Sequence, residues 1–185
     1  MKSRYISLIL ILIFLITFVI FFKGLKNSNI YAPDTNLKKE VPSFELKSFE
    51  NDSIVISEKI FKDNDYYFMN IWASWCIPCK EEHEFLMELK KDDKIQLIWF
   101  NYKDNFTNAS SFLKDLGNPY DIIVSDKDGT ASIEWGAYGV PESFLVYQNK
   151  IIKRFIGPIN NKDLLEIQKI LRWNLFIYFW LLLQF

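Results

Sequence analysis

The sequence predicts an α/β domain, a mixed β-sheet sandwiched by helices, carried behind an N-terminal membrane-spanning helix. Three observations predict it. Residues 5–22 form an apolar run interrupted only by Ser7 and Thr17. Further on, strand-like and helix-like apolar patterns follow one another as β-α-β-α-β and then β-β-α. Two cysteines, Cys76 and Cys79, stand where a buried strand gives way to a helix.

The bulk numbers narrow the functional class. A chain of 185 residues that is 50% apolar and 24% charged is a folded protein with room for one domain and some accessories. Its formal net charge is −1 and it has no Lys/Arg cluster on a recognition element, which speaks against nucleic-acid binding. Two Cys and one His exclude a multi-disulfide scaffold and a structural zinc site built on Cys, which takes four ligands. The pair is left as a local dithiol/disulfide or a weak two-ligand metal site. No cofactor is implied.

Residues 1–24 read as an uncleaved signal anchor. At 1.5 Å per residue, roughly 18 apolar residues reach about 27 Å, close to the thickness of a bilayer core. Lys23-Gly24-Leu25-Lys26 follows the run instead of a small-residue cleavage site, although a removed signal peptide is the competing reading. Lys2 and Arg4 precede the run, and Lys23, Lys26, Lys38 and Lys39 follow it, so charge counting leaves the orientation open. Residues 25–40 are polar and aperiodic and read as a linker.

The folded domain is expected over residues 41–172. Phe44 and Leu46 alternate with polar residues, which suits an edge strand. Residues 54–56 read as a strand, after which Ser57 caps a brief helix. Residues 66–72 are apolar on both faces, as a strand covered on both sides would be. A helix is expected over 76–91, with Phe85, Leu86 and Leu89 on its core face. Residues 95–100 form a second buried strand. Thr107 then caps a helix that Gly117 ends. Residues 122–124 make a third strand and 130–135 a short helix. Residues 142–147 and 151–156 form a hairpin, and 163–171 a final helix. Residues 173–185 carry no charge and are rich in aromatics and Leu. They are too short for a comfortable span, and three readings stay open: packing on the domain, lying in the membrane interface, or an extension without function.

A Cys-x-x-Cys pair at a helix start has a direct chemical logic. Unpaired N–H groups and the helix dipole stabilise a thiolate at Cys76, and thiolate is the nucleophile. Cys79, one turn on, is placed to close a disulfide. Pro78 lies in the first turn, where its missing N–H costs nothing. Cys76 would attack a substrate disulfide and Cys79 would resolve the mixed disulfide. A structural disulfide is the blander reading. Haem attachment is disfavoured because Lys80, not His, follows Cys79.

The segment Asn70-Ile71-Trp72-Ala73-Ser74-Trp75-Cys76-Ile77-Pro78-Cys79-Lys80 resembles the active-site strand and turn of thioredoxin-like proteins. Asn101-Tyr102-Lys103-Asp104, Gly117-Asn118-Pro119-Tyr120 and Trp135-Gly136-Ala137-Tyr138-Gly139-Val140-Pro141-Glu142 narrow this to the DsbE/CcmG group of thiol:disulfide interchange proteins of cytochrome c maturation. The resemblance covers about residues 41–171. It implies a thioredoxin-like fold on the bacterial inner membrane, anchored by a single pass, with the catalytic domain in the periplasm. The implied substrate is apocytochrome c or a CcmH-like thiol protein, whose cysteines are kept reduced for haem ligation. The implied electron donor is a membrane protein of the DsbD/CcdA type.

By the same resemblance, Cys76 is the attacking and Cys79 the resolving cysteine. Pro141 would be a cis-proline facing them, where its residues alone suggest a plain turn equally well. Val140 would then offer its backbone to an incoming peptide as to an added strand. Trp75 would shield the site and provide contact surface. Two acids match family positions, Glu82 after the second cysteine and Glu142 after Pro141. Either can accept the Cys79 proton or raise its pKa, with Glu142 preferred. A solvated helix face is the competing reading for Glu82. Asn70 stands where thioredoxin has a buried Asp and cannot take a proton. A broader extracytoplasmic reductase, for example in copper-centre assembly, is the sibling reading. A Cu(I) module on the two sulfurs is a third, with Met69 and Met87 the nearest thioethers.

Overall fold

In the computed structural model the described residues are 2–26, 39–62 and 65–182. The chain divides into two units, Met1–Asp34 and Thr35–Phe185. The first contains helix α1 (Lys2–Lys26), and its residues 4–23 are all exposed. This helix is long and apolar enough to cross a membrane and fits a single-pass anchor. Most of the expected linker, residues 27–38, lies outside the described residues.

In the second unit the strands are β1 (Lys39–Glu40), β2 (Glu45–Ser48), β3 (Val55–Ser57), β4 (Tyr66–Trp72), β5 (Ile95–Tyr102), β6 (Ile122–Asp126), β7 (Glu142–Tyr147) and β8 (Lys150–Ile156). The helices are α2 (Ile77–Leu89), α3 (Phe106–Leu116), α4 (Thr130–Glu134) and α5 (Asn161–Leu182). They build one mixed sheet in the order β1-β8-β7-β4-β5-β6-β2-β3. β4, β5 and β6 run parallel, while β7 pairs antiparallel with β4. The predicted α/β architecture is the observed one.

Alternation along the central strands sorts side chains between two cores. Phe68 and Trp72 of β4, Leu97 and Trp99 of β5 and Leu145 of β7 join Leu86 and Leu89 of α2. Tyr67, Met69 and Ile71, with Ile98 and Phe100, Phe144 and Val146, face the other way. There they meet Trp135, whose ring lies 5.7 Å from that of Phe100 and 5.4 Å from that of Phe144. Trp135 is thus a core support, as its aromatic surroundings require.

Several element expectations need correction. β2 is not an edge strand: it pairs with β6 on one side and β3 on the other. Its half-exposed side chains imitate an edge because it lies near the margin of the sheet. The cap of α3 is Asn105, whose Oδ1 accepts from Thr107 N at 2.8 Å, while Thr107 sits inside the first turn. The strand pair β7–β8 closes through only two residues, Gln148 and Asn149, both at positive φ, the geometry that follows strand twist. α5 begins at a reciprocal cap, with Lys162 N donating to Asn160 Oδ1 and Asn160 N to Asp163 Oδ2. It then runs past the expected end to Leu182. The side chains of 173–182 and all of 183–185 lie outside the described residues, and with them the tail's role.

Gly117 ends α3 as expected, at φ 94° and ψ 162°, a region essentially reserved for glycine. Its carbonyl sits 3.0 Å from His83 Nε2, and an added Cβ would come within 2.9 Å of Met87 Cε. Gly117→Ala is therefore expected to destabilise the domain by about 1–3 kcal/mol. Part of that cost is collision and part is backbone, so the penalty should shrink but persist in a Met87→Ala background. Denaturant midpoints of the four variants in the cycle measure both parts. Equal penalties in the two backgrounds would remove the collision from the account.

Candidate active site

β4 delivers the chain to the site and a tight turn redirects it. Cys76 N donates to Ala73 O at 3.1 Å, and Cys76 caps α2 with extended backbone angles. Its sulfur accepts from Cys79 N at 3.2 Å. The helix starts one residue later than predicted, which makes Cys76 the cap itself. Pro78 falls in the first turn, where no backbone donor is lost to the helix. Cys76 and Cys79 are joined in a disulfide, and both are buried, at 5% and 2% exposure. Trp75 and Ile77 beside them stand out into solvent.

The turn is held from the β5–α3 connection by a residue that sequence reading gave no role. Asp104 accepts from Ser74 N at 2.5 Å, Ser74 Oγ at 2.9 Å, Asn101 Nδ2 at 3.1 Å and Asn105 N at 2.7 Å. Trp75 Nε1 donates to the carbonyl of neighbouring Lys103 at 3.2 Å. A carboxylate with four donors is well compensated, and it anchors the turn immediately before the cysteines. A cavity of about 220 Å³ opens beside Cys76, walled by Trp75, Ile77, Phe112 and Leu116.

Glu82 lies three residues after Cys79 on α2, and the helix repeat brings both to the same face. It is fully buried, which overturns the solvated-face reading. Leu86 and Leu89 continue its stripe toward the sheet, so the position could not remain wet. Glu82 Oε1 accepts from Asn70 Nδ2 at 2.9 Å and Oε2 from Ile159 N at 3.0 Å. Asn70 Nδ2 also donates to Ser143 Oγ at 2.9 Å, its registered neighbour across β4–β7. Asn70 Oδ1 accepts from the Tyr120 hydroxyl at 3.1 Å. Burial pushes the Glu82 carboxyl from 4.5 up to about 7, against the two hydrogen bonds that pull it down. Burial also raises the Tyr120 phenol well above its usual value, the Glu82 charge adding to the effect, so Tyr120 stays a neutral donor.

Glu142 is placed differently. β7 turns Ser143 toward Asn70, so Glu142 points to the opposite face of the sheet with Phe144. Its Oε2 accepts from Arg154 Nε at 2.9 Å and from Arg154 Nη2, and its Oε1 from Tyr138 N at 2.7 Å. Arg154 Nη2 also donates to Gly136 O at 2.7 Å, and its guanidinium lies 5.1 Å from the Tyr138 ring centroid. Glu142 and Arg154 thus pin residues 136–142 in place. Strand alternation thus places Glu142, the acid that the sequence preferred, on the face of the sheet opposite Asn70 and Glu82. The Val140–Pro141 bond is cis, and Val140 packs against the cluster that contains both cysteines.

His83 is buried and bonded to the Gly117 carbonyl, and burial lowers its pKa, so it serves as a neutral structural group. Met69 joins the core on the face of β4 away from Asn70, and Met87 packs near Gly117. Asp104 and Tyr120 close two of the segments that carry the resemblance, but neither they nor Ser143 and Arg154 have a role that the sequence assigns. For Ser143 the one available signal was the register opposite Asn70.

The folded state holds the Glu82 proton more tightly than the unfolded chain does. Its contribution to stability is complete below pH 4.5 and is lost as pH rises through about 7. Relative to Glu82→Gln, the oxidised protein should lose about 3 kcal/mol between pH 4 and 8. His83 acts in the opposite sense, its contribution being lost as pH falls below its unfolded value. Denaturant titration of the full chain in detergent micelles checks this, and a wild-type-minus-Gln difference that stays flat with pH would refute it.

Residues 36–171 match the family described as Redoxin. The thiol:disulfide interchange protein CycY of Rhizobium leguminosarum bv. viciae is 48% identical over 99 residues, 53% of each chain. The thiol:disulfide interchange protein DsbE of Yersinia pestis is 33% identical over 166 residues, 87% of each chain. Among solved structures, StoA from Bacillus subtilis aligns with a TM-score of 0.55 and 27% identity, over 68% of this chain and 96% of that one. The fold is thioredoxin-like, and its sheet carries the disulfide at the C-terminal end of β4.

Proposed function

We propose that this chain, which belongs to the Redoxin family and is a thiol–disulfide oxidoreductase of the DsbE/CycY type, works as a membrane-anchored periplasmic reductase in cytochrome c maturation. The observation that carries the reading is the buried Glu82 carboxyl, set one turn beyond Cys79 and titrating near neutrality. A reductase must deprotonate a buried thiol in each turnover, and such a group is suited to that task.

In the reduced protein the Cys76 thiolate attacks one sulfur of a substrate disulfide. The substrate S–S bond breaks and its second sulfur leaves as a thiolate, which takes up a proton. Glu82 accepts the proton of Cys79. The Cys79 thiolate then attacks Cys76 Sγ, closing the Cys76–Cys79 disulfide and releasing the other substrate sulfur as a thiolate, which takes up the second proton. Two electrons pass to the substrate, which leaves as a dithiol. Fresh electrons come from a thiol donor of the membrane DsbD/CcdA type.

Substrate would be an extended peptide. Trp75 and Pro78 flank the attacking sulfur, and Val140 offers backbone for strand-like pairing, while the carbonyl of cis Pro141 is held by Gly157 N at 3.1 Å. The Glu142–Arg154 pair supports this by fixing the loop that presents them. The substrate fitting the reading is an oxidised Cys-x-x-Cys-His segment of apocytochrome c, or a CcmH-like thiol protein that relays to it. The apolar helix α1 supports tethering to the inner membrane.

The test is trapping. Cys79→Ala cannot resolve the mixed disulfide and should accumulate one with an oxidised Cys-x-x-Cys-His peptide. Mass spectrometry of the adduct reads the result. Efficient trapping of unrelated disulfides without trapping of this peptide would overturn the dedicated role and favour a broader extracytoplasmic reductase.

A further inference from the structure

Tyr120 lies in the α3–β6 connection, 50 positions from Asn70 in sequence, yet its hydroxyl reaches the Asn70 carbonyl oxygen at 3.1 Å. The bond matters because an amide has two unlike ends. With Oδ1 turned to Tyr120, Nδ2 is turned to Glu82 Oε1 and to Ser143 Oγ, both at 2.9 Å. An N–H facing a carboxyl oxygen favours the ionised form. The reversed amide would set an oxygen against Glu82 and so favour the protonated acid, which alone has a proton to donate.

The other neighbours of Glu82 do not choose between the two amide orientations. Ile159 N donates to Glu82 Oε2 and favours the ionised acid whichever way the amide lies. Ser143 Oγ can accept from Nδ2 or donate to Oδ1. His83, next on α2, is engaged with Gly117 O, and Cys79 shares the face of Glu82 without a charge in the disulfide. Tyr120 is itself held in place: its ring lies 4.9 Å from Trp99 and 6.2 Å from Trp72, and those two indoles stack at 3.7 Å.

We propose that Tyr120 is a positioning residue for the proton acceptor: its hydroxyl commits the Asn70 amide to the orientation that donates to Glu82 and so keeps Glu82 able to take the Cys79 proton. The inference rests on the proton-acceptor reading of Glu82 given above. Tyr120→Phe keeps the stacked ring and removes only the hydroxyl. Asn70 Oδ1 then loses its donor, the amide turns to recover one from Ser143 or protonated Glu82, and Glu82 holds its proton to higher pH.

The experiment follows disulfide reduction by the full-length protein in detergent micelles between pH 5 and 9. Resolution by Cys79 and attack by Cys76 are read separately, the latter in a Cys79→Ala background. Tyr120→Phe should move the acid limb of resolution upward by about one pH unit, which is roughly tenfold in proton affinity. Attack by Cys76 should keep its wild-type rate and pH profile. Glu82→Gln should abolish the limb. A limb that persists in Glu82→Gln overturns the proton-acceptor reading and this inference with it. A limb lost in Glu82→Gln but unmoved in Tyr120→Phe overturns the role of Tyr120 alone. Slower reaction at every pH without a shifted limb assigns Tyr120 to packing and also overturns the proposal.

Discussion

Seating α2 on the centre of the sheet puts the Glu82 carboxyl where water cannot reach it. Removing an ionised carboxyl from water without compensation costs several kcal/mol, so the position survives only with partners in place. The Asn70 amide on β4 and the Ile159 N–H before α5 supply two, from elements far apart in the chain. Both are neutral, and that choice sets the chemistry. A cation in either place would fix the carboxylate in its charged form and pull its pKa well down. Neutral donors offset part of the desolvation and leave the group balanced near 7. The sheet, the helix and the α5 entry must all be assembled before the acid has that property.

Strand alternation separates the site into two jobs. Asn70 and Ser143 face α2, beneath the disulfide, and manage the buried acid. Glu142, one residue before Ser143, is turned to the other side of the sheet, where Arg154 neutralises it. That pair is a buried ion pair with good geometry and further bonds to Tyr138 N and Gly136 O, the conditions under which such a pair holds a loop rigid. Two glutamates close to the same reaction therefore have unlike roles. One faces neutral groups and titrates, and the other faces a guanidinium and holds residues 136–142. Asp104 does for the Ser74–Trp75 turn what Glu142 does for the proline loop, so both rims of the site rest on a carboxylate.

Much of this was legible because it is local. The cysteine pair, the buried strand before it and the helix after it lie in one stretch of sequence and need no partner to be recognised. Glu82 was legible in part. It falls four and seven residues before Leu86 and Leu89, the spacing of one helix face, so its burial follows from the same pattern that marks the core. The faces of β7 were not legible. Alternation says that Glu142 and Ser143 diverge, but only the packing of α2 says which of them meets the disulfide. The roles of Tyr120 and Asp104 were hidden for a different reason. Their bonds span 50 and 30 residues, and nothing in the residues between fixes where the connections return. The cap of α3 was missed by two residues, since both Asn105 and Thr107 are competent caps and geometry decides between them.

The amide at position 70 then has a physical reason to be an amide. A carboxylate there would sit within hydrogen-bond distance of Glu82, and two such groups cannot both ionise in a dry site. One would stay protonated well above neutrality, and the pair would share a proton in place of one group titrating alone. Asn70 keeps the shape and brings an N–H donor to Glu82, at the cost of needing a second donor for its own oxygen. Tyr120 is that donor, and the Trp72–Trp99 stack is what holds its ring against the network. An aromatic core that looks like plain packing is therefore part of the proton chemistry, because it fixes the one hydroxyl that gives the amide its direction.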